Sequence, residues 1–324
     1  METKKLGLLD KSQPILLLVS VLLGLILYKL TPGLSQNLIP LVEIGIFLVI
    51  LLIMLGTDTK GILNAFTIWK PITIALVINF VFTPAYSWFL GYIFLRNNPD
   101  IWVGLILYLI TPCIGWYLVF TELAEGDVAL GVALLAWNIF LQIALMPLYM
   151  WLLARRLIFI NFTNIFYSIF GFLILPFIIS RLIRWYLLSK KHSLGYLGRP
   201  IFTYLKTAIL MIVIISMFAS QGKVLFENPL IIARMIIPGI VFFFSIMIIS
   251  IIVGYIFGLK YKEVALLVFT TTARNSEVSL AIAVTAFSSP LIPLTVVIGP
   301  SIELPVLIII LRILLWIKSK EYFK

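Results

Sequence analysis

The sequence predicts an all-α integral membrane protein of about ten transmembrane helices in two inverted five-helix repeats. Three observations carry that expectation. Hydrophobic residues fill 62% of 324 positions and charged residues 11%, with a mean hydropathy of +1.17, which is more apolar surface than a soluble domain of this length can hide. Apolar stretches of roughly 20 residues, the length that crosses a bilayer, recur along the whole chain. The basic residues also sort by side. With the N-terminus inside, seventeen of the 24 lysines and arginines fall on the cytoplasmic side and six on the other, a bias that places both termini of a multi-pass cell-membrane protein in the cytoplasm.

Crossings are expected at 15–30, 39–55, 73–94, 101–120, 128–153, 160–183, 201–219, 231–257, 264–287 and 291–317. The first follows Lys4 and Lys5 and could imitate a signal peptide, but no small-residue cleavage site follows it, so it reads as a retained span. The second carries Glu43 close enough to its end to reach the interface. In the fourth, Thr111, Pro112, Cys113, Ile114 and Gly115 interrupt the helix, because Pro112 removes a backbone donor and Gly115 loosens the next turn. The fifth contains Asn138, Gln142 and Pro147. A basic loop at 184–200, with His192, Gly195 and Gly198, divides the chain into a first repeat at about 12–156 and a second at about 157–318. Five spans per half is an odd number, so the second half must lie inverted relative to the first. The ninth crossing runs through three threonines, Arg274, Asn275, Ser276, Glu277 and Ser279, and the tenth holds Pro300, Glu303 and Pro305.

The polar run of the ninth crossing costs several kcal/mol if it faces lipid, so it is expected to face protein or an aqueous cavity and to unwind there. Two interrupted helices at matching places in two halves point to a solute site at the bilayer midplane. Its candidate residues are Cys113, Asn138, Arg274 and Asn275 for a substrate, and Glu277 and Glu303 for a coupling ion. Each has a plainer reading. Cys113 could be a small buried hydrophobe, Arg274 and Glu277 could pair three residues apart on a continuous helix, and Asn138 with Gln142 could simply bond a neighbouring helix. Glu303, a carboxylate between two prolines inside a span, has few structural uses.

Much is excluded. One cysteine allows no internal disulfide and no paired-cysteine motif. The only histidine lies in the basic loop, so no His-rich metal site or His general base is available in the membrane. Asp10, Asp58, Asp100 and Asp127 fall outside the spans or at their edges, which leaves no intramembrane aspartyl pair. No GxxxxGK[ST] loop or filter repeat occurs. The net charge of +11 is distributed between apolar segments and is a topology signal rather than a nucleic-acid footprint. Neither an enzyme nor a cofactor is expected. The implied partners are the lipid bilayer and a small solute or ion.

Several of these motifs together, Thr111, Pro112 and Cys113, the turn at Gly126 and Asp127 with Asn138 beyond it, Ala281 to Val284, and the run from Ile298 through Gly299, Pro300, Ser301, Ile302, Glu303, Leu304 and Pro305 to Val306, resemble the arsenite efflux permeases of the arsenical-resistance family, within the bile acid/sodium symporter superfamily. The resemblance implies ten spans in two inverted repeats, two crossing broken helices at the site, and a core domain rocking against a panel. It also implies that Cys113 and Glu303 match the family's functional cysteine and glutamate, and trivalent arsenic is thiol-seeking. At the ninth-span break the chain departs from that family's pattern, with Arg274 in place of a small residue, Ser276 in place of an aromatic and Glu277 one position early. Two functions stay open: proton-coupled export of arsenite or a similar metalloid acid, and sodium-coupled symport of an organic anion that Arg274 would attract.

Overall fold

In a bilayer every backbone polar group must find its partner within its own segment, so apolar runs of this length fold as helices. The computed structural model describes residues 8–31, 33, 38–56, 69–113, 116–158, 163, 167, 170–189, 200–220, 222–227, 230–320 and 322–323, and every regular element among them is helical. Positions 190–199 of the expected loop at 184–200, with His192, and Ile114 with Gly115 lie outside the described residues, while 184–189 and Pro200 are helical. In chain order the helices are α1 (Leu8–Leu30), α2 (Ile39–Gly56), α3 (Trp69–Phe94), α4 (Pro99–Leu109), α5 (Trp116–Leu123), α6 (Val128–Ala154), α7 (Leu175–Ser189), α8 (Pro200–Ser220), α9 (Gly222–Glu227), α10 (Leu230–Ile256), α11 (Tyr261–Thr272), α12 (Ser276–Ala286) and α13 (Leu291–Ser319). Among the described residues four stretches are long and apolar enough to cross a bilayer: α3, α6, α13 and Ala233–Ile256 within α10. Ile44, Val81, Phe140, Leu182 and Ile237 stand exposed on the outer surface, an apolar face that suits lipid and not water.

The expected fourth and ninth crossings are each two short helices, α4 with α5 and α11 with α12. At about 1.5 Å per residue none of the four is long enough to cross alone. Hydrogen bonds at their ends fix how the two pairs run. On one face, Tyr261 Oη donates to Ala124 O at 2.9 Å and Asp127 N donates to Lys262 O at 2.9 Å, while Lys318 Nζ pairs with Glu125. Lys318 holds the exposed Glu125 carboxyl below its ordinary range. On the opposite face, Arg234 Nη1 donates to Asn98 Oδ1 at 2.6 Å and Ser289 Oγ to Asp100 Oδ2 at 2.7 Å. The pair α4 and α5 therefore runs from the second face to the first, and α11 with α12 runs back.

Helices α1, α2, α7 and α8 pack on one another, with Arg184 Nη1 donating to Leu55 O at 2.7 Å and Arg181 bonding Met54 O, so that two cations close the C-terminus of α2. Helices α3 to α6 and α10 to α13 form the other group, and α12 and α13 supply the face that meets α2 and α8. The irregularity in α3 traces to a proline. Pro84 cannot donate to Phe80 O, the chain widens to a π-turn at Ile78–Phe82 in which Thr83 N reaches Ile78 O, and the released Phe80 carbonyl accepts from Tyr149 Oη of α6 at 2.5 Å. A second π-turn, at Met150–Ala154, closes α6.

Candidate functional site

The two helix interruptions meet. Helix α4 ends at Leu109 and α11 at Thr272, and the unwound segments pair as a short antiparallel bridge between Pro112 and Arg274. Cys113 N donates to Ala273 O at 3.0 Å and Asn275 N to Thr111 O at 2.8 Å, so each segment satisfies backbone groups that the other has freed. Thr111 Oγ1 and Ser279 Oγ lie 2.5 Å apart, and Ser279 Oγ reaches Leu107 O at 3.1 Å. These hydroxyls pin α12 to the end of α4.

The unwound stretch is narrower than the polar run suggested, only Ala273 to Asn275. Thr271 and Thr272 stay helical by donating to Leu267 O and Val268 O four residues back, each at 2.7 Å. Asn275 then starts α12, its Oδ1 accepting from Val278 N at 3.2 Å as an N-cap. Arg274 lies within the break and Glu277 on α12, so the two do not share a helical face, and among the described residues no ion pair joins the guanidinium to either carboxylate of the site. The pairing weighed from sequence spacing is absent, because helical spacing does not apply across an unwound segment.

Arg274 is instead buried among oxygens. Its Nη1 donates to Leu109 O at 2.8 Å, Nε to Thr272 O at 3.2 Å and Nη2 to Asn79 Oδ1 at 3.1 Å, with a further bond from Nη2 to Thr271 O. The Phe242 ring covers one side, 5.3 Å from Cζ. Glu303, on α13 and 2% exposed, is held by two donors from elsewhere: Tyr108 Oη of α4 bonds Oε2, and the main-chain N–H of Arg274 donates to Oε1 at 3.0 Å. Gly299 makes the first bond possible, since a methyl at that position would fall within the Tyr108 ring.

A cavity of about 30 Å³ lies between α12 and α13 on one side and α2 and α8 on the other, with Arg274, Glu277 and Glu303 on one wall and Ile46, Val213 and Ile214 among the residues facing them. That is space for roughly one or two waters. Glu277 lies in the first turn of α12, where its Oε2 accepts from Ser276 Oγ at 3.3 Å. Cys113 is buried at the crossing and its Sγ accepts from Trp116 N at 3.2 Å; Trp116 itself reaches the cavity. Asn138 stands apart from the cavity, with Nδ2 donating to Thr270 Oγ1 at 3.2 Å on the last turn of α11. Asn138 Oδ1, both amide atoms of Gln142 and Asn275 Nδ2 are buried without a hydrogen-bond partner among the described residues.

The structure thus brings together Cys113, Arg274, Asn275, Glu277 and Glu303, and sets Asn138 one turn of α11 away. Sequence reasoning missed Tyr108 and Asn79. Each is a polar side chain within an otherwise apolar span, the same signal that singled out Glu303.

Comparison with known proteins gives one family and several relatives. Residues 43–228 match the family described as Sodium Bile acid symporter family. The arsenical-resistance protein Acr3 of Corynebacterium glutamicum is 26% identical over an alignment covering 98% of this chain and 92% of that protein. Acr3 of Alkaliphilus metalliredigens is 24% identical over 96% of this chain and 94% of its own, and an uncharacterized transporter of Synechocystis is 26% identical over 95% and 88%.

Proposed function

Because this chain belongs to the sodium bile acid symporter family, we propose that it exports arsenite or a similar metalloid acid from the cytoplasm by proton antiport. Transport rather than catalysis is the work of the family and of the relatives named above. Their names supply the substrate class, since two carry the words arsenical-resistance. The observation that carries the reading is the placement of two carboxylates, Glu277 and Glu303, on one small cavity beside the crossing that holds the only thiol. In this reading the solute binds near Cys113, Arg274 and Asn275, with Asn138 reaching the same crossing through Thr270, while Glu303, with Glu277 as the second coupling group, gives up and regains a proton in each cycle. The two inverted repeats, at about 12–156 and 157–318, let the crossing face alternate sides as the α3–α6 and α10–α13 group rocks against α1, α2, α7 and α8. Both termini lie in the cytoplasm and the protein resides in the cell membrane.

Sodium-coupled uptake of an organic anion is the second reading, favoured by the family's description and by the unpartnered amides of Asn138 and Gln142. Two observations weigh against it. The cavity is far smaller than a bile-acid-sized anion, and the cation that would attract an anion is bound up with four oxygens. Everted membrane vesicles test the choice. Arsenite accumulation driven by an imposed proton gradient and indifferent to sodium is expected; uptake of taurocholate driven by sodium, with no arsenite movement, would overturn the proposal.

A further inference from the structure

A second cavity, of about 580 Å³, opens at the end of α11 away from the crossing, on the face that carries Glu125 and Lys318. Its volume is that of a small-ligand site. Lys260 and Lys262 at the start of α11 and Lys318 at the end of α13 line it, together with Tyr261 and Phe323, and Lys318 Nζ stands 5.8 Å from the centroid of the Tyr261 ring. The carboxylates of this region are engaged. Asp127 Oδ1 accepts from Leu130 N at 2.9 Å and Glu263 Oε2 from Lys260 N at 2.8 Å, each at a helix start, and Glu125 pairs with Lys318. Among the described residues no ion pair joins Lys260 or Lys262 to a carboxylate, so the cavity keeps two ammonium groups for an anion.

The rim of the cavity points to the source of that anion. Phe323 meets the Tyr255 ring edge-on at 6.1 Å, Trp316 and Tyr322 lie 6.4 Å apart, and Tyr255, Ile256, Phe257, Trp316 and Tyr322 are exposed. Aromatic side chains of this kind sit at the headgroup level of a bilayer. The lysines beside them therefore stand at the depth of lipid phosphates, and basic pockets between membrane helices hold acidic headgroups. A soluble phosphate would gain nothing from the apolar rim. We propose that this cavity is a binding site for an anionic phospholipid, whose phosphodiester meets Lys260 and Lys262 while its acyl chains run along the rim at 255–257 and Trp316. A lipid held there ties the start of α11, which unwinds at the crossing, to the end of α13, the helix that carries Glu303. The inference rests on the cavity and its rim and not on which solute is carried.

Unfolding midpoints of purified full-length protein in mixed micelles test it, as phosphatidylglycerol replaces phosphatidylcholine of the same chains at constant total lipid. The parent's midpoint is expected to rise with phosphatidylglycerol, and glycerol phosphate at the same ionic strength should leave it unchanged. Lys318 is left intact because it also holds Glu125. Lys260→Gln with Lys262→Gln should raise the phosphatidylglycerol fraction needed for half the rise by about tenfold or more, since each lysine near an anionic surface contributes roughly fivefold. Arg96→Gln with Arg155→Gln, an equal loss of charge elsewhere, should titrate like the parent. No rise with phosphatidylglycerol, an equal rise with glycerol phosphate, a double lysine variant that titrates like the parent, or an arginine control shifted as far overturns the proposal. If the double lysine variant does not accumulate, phosphatidylglycerol with a photoreactive headgroup decides on the parent: crosslinks to 260–263 or 318–323 support the site, and crosslinks confined to other segments overturn it. None of these readings depends on arsenite, so failure of the export reading leaves this result standing.

Discussion

Three side chains divide the work of the crossing by what their atoms can accept or donate. Cys113 Sγ accepts from Trp116 N, a role that a serine oxygen also fills, so Cys113→Ser should insert and fold like the parent while losing protection of arsenite-challenged cells. Full protection by the serine variant would make Cys113 a packing residue. Glu303 takes donors from Tyr108 and from Arg274 N, and an amide in its place keeps one acceptor oxygen, so that either the Arg274 N–H loses its acceptor or the Tyr108 hydroxyl must turn its own proton away from the site. Glu303→Gln is therefore expected to cost about 1–3 kcal/mol of stability, the usual penalty for an unsatisfied buried group, and to abolish proton-coupled transport. Glu277 accepts from Ser276 Oγ, its neighbour in the first turn of α12, a contact that an amide oxygen also makes, and Glu277→Gln should unfold at the parent's midpoint while still impairing coupling. Vesicle transport measured beside thermal midpoints separates the two carboxylates, and normal coupling in Glu303→Gln would reduce that residue to a structural anchor.

At the scale of elements, the interruptions are ordered structures with their own caps and pairings. Asn275 begins α12 by accepting from Val278 N, so Asn275→Ala should lose about 1 kcal/mol. The α3 to α6 contact makes a sharper case, because Tyr149 supplies the donor that Pro84 withholds from Phe80 O. Tyr149→Phe should destabilise by about 1–3 kcal/mol through that one orphaned carbonyl; an unchanged unfolding midpoint would mean another donor takes its place. The breaks were legible in Pro112 and in the density of polar residues from Thr270 to Ser279, since both features weaken a helix locally. Their exact extent was not legible. It depends on threonines choosing their own i−4 carbonyls and on Asn275 choosing to cap, choices settled by the partner segment across the crossing. The environment of Arg274 was illegible for the same reason, as its acceptors come from residues scattered between positions 79 and 272.

For the whole molecule, the hydrogen bonds at the ends of the broken helices set Glu125, Lys262 and Lys318 on one face and Asn98, Arg234 and Ser289 on the other. The same division emerged from counting lysines and arginines, because both record which groups end in water. Reporter fusions after residue 320 and within 190–199 should all report cytoplasm, as should a fusion at the N-terminus; an external C-terminus would mean an odd number of spans and end the case for inverted repeats. Composition and apolar run length were enough for the helical class, since the bilayer imposes them residue by residue. The packing of the two groups was not readable that way, as it depends on which apolar faces meet. One consequence of the crossing concerns time. The amides of Cys113 and Asn275 belong to opposite halves of the chain, and each donates to the other's segment. Neither can exchange its hydrogen for deuterium unless the two breaks part, so their exchange should rise and fall as a single event, a clock for the separation of the halves that runs without any solute bound.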